Sequence, residues 1–120
     1  MARTAAVSIE TREVKHVPGP FLRVGIARVH GRSMLPTLSP GDRLLVRYDA
    51  PPRAGDVVVV RFPDRTLAVK RATVRDGAGW WVERDNPGEG VDSAQVGTIS
   101  DADVLAVALV RLWPRPRRLR

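Results

Sequence analysis

Ser33 and Lys70 are the two side chains of this sequence whose types and settings could carry covalent chemistry. Ser33 lies in Val29-His-Gly-Arg-Ser-Met-Leu-Pro-Thr-Leu38, just after a predicted strand and just before a proline-containing turn. A hydroxyl at a strand end is open to a ligand, and Gly31, with no side chain, lets a peptide backbone come close. The same setting suits an ordinary turn-forming serine. Two familiar serine motifs fail here: G-x-S-x-G has Leu35 in its last place, and S-x-x-K has Pro36 there.

Lys70 stands out by composition. The chain holds eighteen arginines and only two lysines, Lys15 and Lys70. Arginine serves wherever a fixed positive charge is enough, because a guanidinium does not shed its proton near neutrality. A desolvated lysine does. Lys70 falls inside the predicted strand Leu67-Ala-Val-Lys-Arg-Ala-Thr-Val74, where alternation groups it with Ala68, Ala72 and Val74 and turns Arg71 to the other face. An apolar face lowers an amine's pKa, and a neutral amine is what a serine hydroxyl needs as its general base. A lysine that snorkels from a strand edge is the structural alternative. His30, three residues from Ser33 on the same strand, points to the opposite face and is read as structural.

The polar segment Glu83-Arg-Asp-Asn-Pro-Gly-Glu-Gly-Val-Asp-Ser-Ala-Gln-Val-Gly97 could be mistaken for a calcium loop. It lacks the D-x-D-x-D-G register and the closing glutamate. Its Asp85, Asn86, Asp92 and Ser93 side chains are suited to bonding nearby backbone and fixing an irregular loop that supports a site.

The elements that must position these groups are short strands. Ten glycines and ten prolines in 120 residues punctuate the chain with turns. Strands are predicted at 24–30, 44–47, 57–62, 67–74, 80–82 and 104–113. Pro40-Gly-Asp42, Ala54-Gly-Asp56 and Asp76-Gly-Ala-Gly79 are the turns between them. The organisation is an N-terminal segment (residues 1–20, of uncertain order), one mainly β domain (21–113) and a basic tail (114–120). With no cysteine and two histidines, disulfides and thiolate metal sites are excluded, and neither a metal nor another cofactor is expected.

The net charge is +7, but Arg111, Arg115, Arg117, Arg118 and Arg120 carry five of those charges, leaving +2 over residues 1–110. That balance argues against a nucleic-acid-binding domain, and no aromatics interleave with the tail arginines. The tail is read as a solvated end, capable at most of peripheral contact with an acidic membrane surface. No stretch approaches the ~20 apolar residues of a spanning helix, so a cytoplasmic protein is expected.

Taken in order, Ser33-Met-Leu-Pro-Thr-Leu, Gly41-Asp-Arg-Leu-Leu-Val, Gly55-Asp-Val-Val-Val, Val69-Lys-Arg and Asp85-Asn…Asp92-Ser…Gly97 resemble the boxes of type I signal peptidases, the S26 serine proteases. The resemblance covers roughly residues 24–113. It implies a coiled antiparallel β domain of the signal-peptidase/LexA-like type and a serine endopeptidase with Ser33 as nucleophile and Lys70 as base. The Ser33 N–H would hold the oxyanion, and Gly31, Met34 and Ala68 would line the substrate. An extended peptide would enter between the segment ending at Gly31 and the strand carrying Lys70. Within the family, the shortness and the Gly79-Trp-Trp-Val stretch are similar to the actinobacterial proteases that mature nickel-type superoxide dismutase. That likeness implies a precursor with an N-terminal leader as partner. A general leader peptidase at the membrane surface and a non-catalytic regulatory relative are the alternatives. Four positions depart from the family pattern: Arg84 replaces a glycine, Gly90 a serine that would orient Lys70, and Ala94 an arginine that would pair with Asp92. Gly31 offers no hydroxyl as a second oxyanion donor.

Overall fold

The computed structural model describes residues 7–11 and 23–119. Its strands are β1 (Val7–Thr11), β2 (Val24–Val29), β3 (Arg43–Tyr48), β4 (Val57–Arg61), β5 (Leu67–Asp76), β6 (Gly79–Glu83), β7 (Ile99–Ser100), β8 (Val104–Trp113) and β9 (Arg117–Arg118). A single helical turn, α1 (Ser93–Val96), interrupts them. All join one antiparallel sheet in the order β1-β2-β3-β8-β4-β5-β6-β7, with β9 added alongside β8. β1 and β5 touch although four strands separate them in that order, so the sheet curls back on itself.

Valine builds the middle of this curl. Val57, Val58, Val59 and Val60 are all buried, because β4 is flanked by β5 and β8 and covered on both faces. β-branched side chains suit such a strand, and each buried valine contributes about 1.5–3 kcal/mol. Two turns of one design feed β3 and β4. Asp42 accepts from the Ser39 N–H (2.9 Å), and Asp56 accepts from the Arg53 N–H (2.8 Å). In the second turn Gly55 takes φ +97°, a region that favours glycine.

The predicted strands are all present, with three differences. Val74 does not share the buried face of Lys70. A register shift between Ala72 and Val74 turns it outward, and it is 58% exposed. The arginine-rich end folds back instead of trailing in solvent. Arg117 and Arg118 pair with Arg111 and Val110, and Leu119 is buried with its N–H on the Leu109 carbonyl. Charge counting overlooked that one apolar anchor. Part of the N-terminal segment forms β1, and the sheet therefore extends on both sides of residues 21–113. Lys15, His16 and the Pro18-Gly-Pro20 turn lie outside the described residues.

Candidate active site

Strand β5 delivers Lys70 to the interior, and the turn after β2 delivers Ser33 to meet it. The Lys70 Nζ donates to the Ser33 Oγ at 2.6 Å. Both residues are buried, Lys70 at 1% exposure and Ser33 at 4%. The Phe62 ring faces the amine at 5.9 Å. Burial is the main effect on Lys70 and pushes its pKa down. The Asp92 carboxylate opposes this and the Arg84 cation reinforces it, leaving the amine at about 8. An amine near 8 is neutral in a useful fraction of molecules around pH 7–8. The 2.6 Å contact then reverses, with the hydroxyl donating to the nitrogen lone pair.

The loop from 84 to 93 is stitched to both sides of this pair. The Asn86 N–H donates to the Ser33 carbonyl (2.8 Å), and the Asn86 Nδ2 to the Arg32 carbonyl (2.9 Å). Arg71, on the opposite face of β5 from Lys70, forks onto Asp85 at 2.9 and 2.7 Å. Thr37 adds its hydroxyl to the same carboxylate at 2.6 Å. Burial works against the Asp85 carboxylate. The bonds from Arg71 and Thr37, with the Arg71 charge, outweigh it and hold the carboxyl below its ordinary range. Asp92 caps α1 through the Ala94 N–H, in a capping box with Gln95. Ser93 accepts from the Val82 N–H at 2.8 Å, tying the loop to β6.

Among the singled-out residues, Ser33, Lys70, Asp85, Asn86, Asp92 and Ser93 thus gather in one neighbourhood. Met34 follows Ser33 and Ala68 lies two residues before Lys70, and both are fully buried. His30 lies apart, its Nε2 2.6 Å from the Ser8 hydroxyl of β1. Among the described residues, no group takes a hydrogen bond from the Ser33 backbone N–H.

Two expected deficits are filled differently. Asp92 has a partner without an arginine at 94: it accepts from the Arg84 N–H (3.0 Å) and lies 3.7 Å from the Arg84 guanidinium. Gly90 leaves no gap for a missing serine. A Cβ built there would come within 2.5 Å of the Ser33 Cβ, at a backbone φ of +108°.

Sequence reasoning missed the neighbour on the other side. β1 pairs with the outer edge of β2, Val7 opposite Val29, and lies against β5. The pairing of β5 with β6 begins only at Arg71. β1 thus pairs with β2 and touches β5, the elements between which a peptide was expected. The alternation Val7-Ser8-Ile9 was the available signal. A separate cleft of about 1050 Å³, lined by Ile9, Tyr48, Pro51, Leu67, Trp80 and Leu105 among others, includes neither Ser33 nor Lys70.

A curled antiparallel sheet with a buried serine and lysine in contact at a strand end defines a β domain of the LexA and signal-peptidase type. The chain matches the Peptidase S24-like family over residues 8–108, and it belongs to that family. No curated protein matches the chain. Membership supports a peptidase-type function, in a family that also includes autoproteolytic and non-catalytic members.

Proposed function

We propose that this chain is a serine endopeptidase that removes an N-terminal leader from a precursor protein, with Ser33 as nucleophile and Lys70 as general base. The carrying observation is the 2.6 Å contact between a buried amine and a buried hydroxyl. The neutral Lys70 amine takes the Ser33 proton as Oγ attacks the peptide carbonyl. The developing oxyanion is held by the Ser33 N–H. The resulting ammonium passes its proton to the leaving amine, and an ester to Ser33 remains. Water, deprotonated by Lys70, attacks that ester and releases the new carboxylate.

The finer reading is an S26-like enzyme that matures nickel superoxide dismutase. It rests on the order of the sequence boxes and on the support that Asp85, Asn86 and Asp92 give the dyad. Purified protein incubated with a nickel superoxide dismutase precursor, and separately with a membrane-protein signal peptide, tests it. Cleavage of the precursor at its leader is the expected result. Cleavage of the signal peptide alone makes the protein a leader peptidase of the membrane surface.

One observation favours a second reading, in which the chain acts on itself. β1 pairs with the edge of β2 that an extended substrate would use, with Val7 opposite Val29, four residues before Ser33. Intact-mass measurement of wild type and Ser33→Ala after prolonged incubation separates the two. Loss of an N-terminal fragment from wild type alone supports self-processing.

A further inference from the structure

We infer that Arg84 is a positioning residue of the Ser33–Lys70 pair: it clamps the 87–90 loop against Ser33 and keeps a fixed positive charge beside the Lys70 amine. This rests on the proposed dyad and names a residue that the dyad does not include. The β5–β6 pairing ends at Arg71 opposite Glu83, and Lys70 and Arg84 are the next residues of the chain beyond that pair. The Arg84 guanidinium turns toward the loop. Its Nη2 donates to the Pro87 carbonyl (3.1 Å), and its Nη1 to the Gly90 carbonyl (3.2 Å) and the Gln95 Oε1 (3.5 Å). A Cβ on Gly90 would come 3.6 Å from the Arg84 Cδ and 2.5 Å from the Ser33 Cβ. Gly90 therefore lies close to both Ser33 and Arg84, and the arginine's bonds to the Pro87 and Gly90 carbonyls hold this loop.

The charge matters as well as the clamp. The ionised side chains that act on Lys70 are Asp92, which stabilises its ammonium, and Arg84, which opposes it. Asp92 also lies 3.7 Å from the Arg84 guanidinium, so part of its field is spent on the arginine. From the other elements around the amine come the Ser33 hydroxyl and the Phe62 ring. Arg71, next in β5, is neutralised by Asp85. Val7, Ser8 and Ile9 of β1 carry no ionisable group. The Arg84 Nε is buried without a hydrogen-bond partner, while its Nη groups bond the loop nearer the surface. Without Arg84, the Asp92 carboxylate would act on Lys70 unopposed and favour its charged form.

The test exploits the scarcity of lysine. With 13C-lysine labelling only Lys15 and Lys70 give side-chain signals, and Lys70→Arg assigns them. The Lys70 midpoint is read directly by titration in wild type, Arg84→Gln and Arg84→Lys. The expected result is a clear upward shift in Arg84→Gln and a near-wild-type midpoint in Arg84→Lys. Peptide cleavage by Arg84→Gln should stay down roughly ten- to a hundredfold even above that midpoint, because the loop has lost its clamp. An unchanged midpoint in folded Arg84→Gln overturns the charge role, and full activity at high pH overturns the clamp. Should Arg84→Gln fail to fold, the wild-type Arg84 Nε signal decides, since it must titrate with the Lys70 midpoint if the two groups are coupled. A Lys70 midpoint in the ordinary lysine range would count against the dyad itself, whereas a low midpoint indifferent to residue 84 sinks only this inference.

Discussion

Gly90 lies so near Ser33 that a Cβ on it would approach the serine Cβ to 2.5 Å, with the Gly90 backbone in a left-handed conformation. The loop carrying Asp85, Asn86 and Asp92 thus presses bare backbone onto the reactive hydroxyl's own side chain. The side chain that residue 90 lacks is excluded by shape.

Gly90→Ser should accordingly harm the protein, although it restores a hydroxyl near Lys70. The backbone strain and the overlap together should cost about 1–3 kcal/mol, read as a lower melting temperature. Peptide cleavage should fall as Ser33 is displaced. A Gly90→Ser variant that is as stable and at least as active as wild type would contradict this packing.

Lys70→Arg and Ser33→Ala should each lower kcat/KM by on the order of a thousandfold or more, since arginine supplies charge without a basic lone pair. His30→Ala should keep most of the activity, because His30 contacts Ser8 and not the dyad. Lys70→Met should be inactive yet more stable near neutral pH by a few kcal/mol, as it removes a buried ionisable group of similar volume. Paired cleavage assays and denaturant melts check these outcomes.

The pH profiles follow from a Lys70 amine pushed down to about 8 against an unfolded value of 10.5. Activity needs the neutral amine, so kcat/KM should rise toward alkaline pH with a midpoint near 8. At pH 7 roughly a tenth of the molecules are competent. For stability the sign is the same. Between about 8 and 10.5 the unfolded chain holds a proton on this lysine that the folded chain has released, so stability rises with pH across that window. Lys70→Met should abolish this part of the pH dependence.

Asp85 works in the acidic range. Its carboxyl is held below the ordinary value, so the stabilisation from Arg71 and Thr37 is present above the unfolded carboxylate pKa and fades as pH falls through the folded one. Asp85→Asn should destabilise by about 1–3 kcal/mol at pH 7, because it leaves the Arg71 guanidinium without its carboxylate. The difference from wild type should shrink on acidification. Urea melts at pH 7 and near pH 3 test it.

Much of this arrangement was legible in the residues. Glycine–aspartate turns, period-two alternation and a lone lysine within a strand located β3, β4, β5 and the amine that meets Ser33. Alternation could not reveal the shift between Ala72 and Val74, because a bulge leaves composition unchanged. The partnership of Asp92 with Arg84 was hidden for a related reason: it depends on how the 84–93 loop closes beside β6. Setting residues 1–20 apart as a segment of uncertain order drew attention from Val7-Ser8-Ile9. At the other end, five arginines outweighed Leu119, although one apolar side chain is enough to seat a two-residue strand.

β1 supplies the last prediction. Val7 is buried, and Ile9 packs against the core, so the strand is held by apolar contacts as well as by its ladder with β2. A peptide that pairs with the outer edge of β2 must displace it. Ser8→Pro puts a ring where the ladder needs a regular strand and removes the hydroxyl that meets His30, while leaving Val7 and Ile9 in place. In a leader-removing enzyme this change should lower KM for an added peptide by several-fold with little effect on kcat, since only the competitor for the β2 edge has been weakened. In a self-processing chain the same substitution should slow release of the N-terminal fragment, because the ladder that sets Val7 opposite Val29 is weakened. Steady-state kinetics with a synthetic leader peptide and intact-mass time courses on one preparation read both outcomes. An unchanged KM together with an unchanged fragment yield would mean that β1 is a permanent strand of the sheet, and that peptides reach Ser33 by another route.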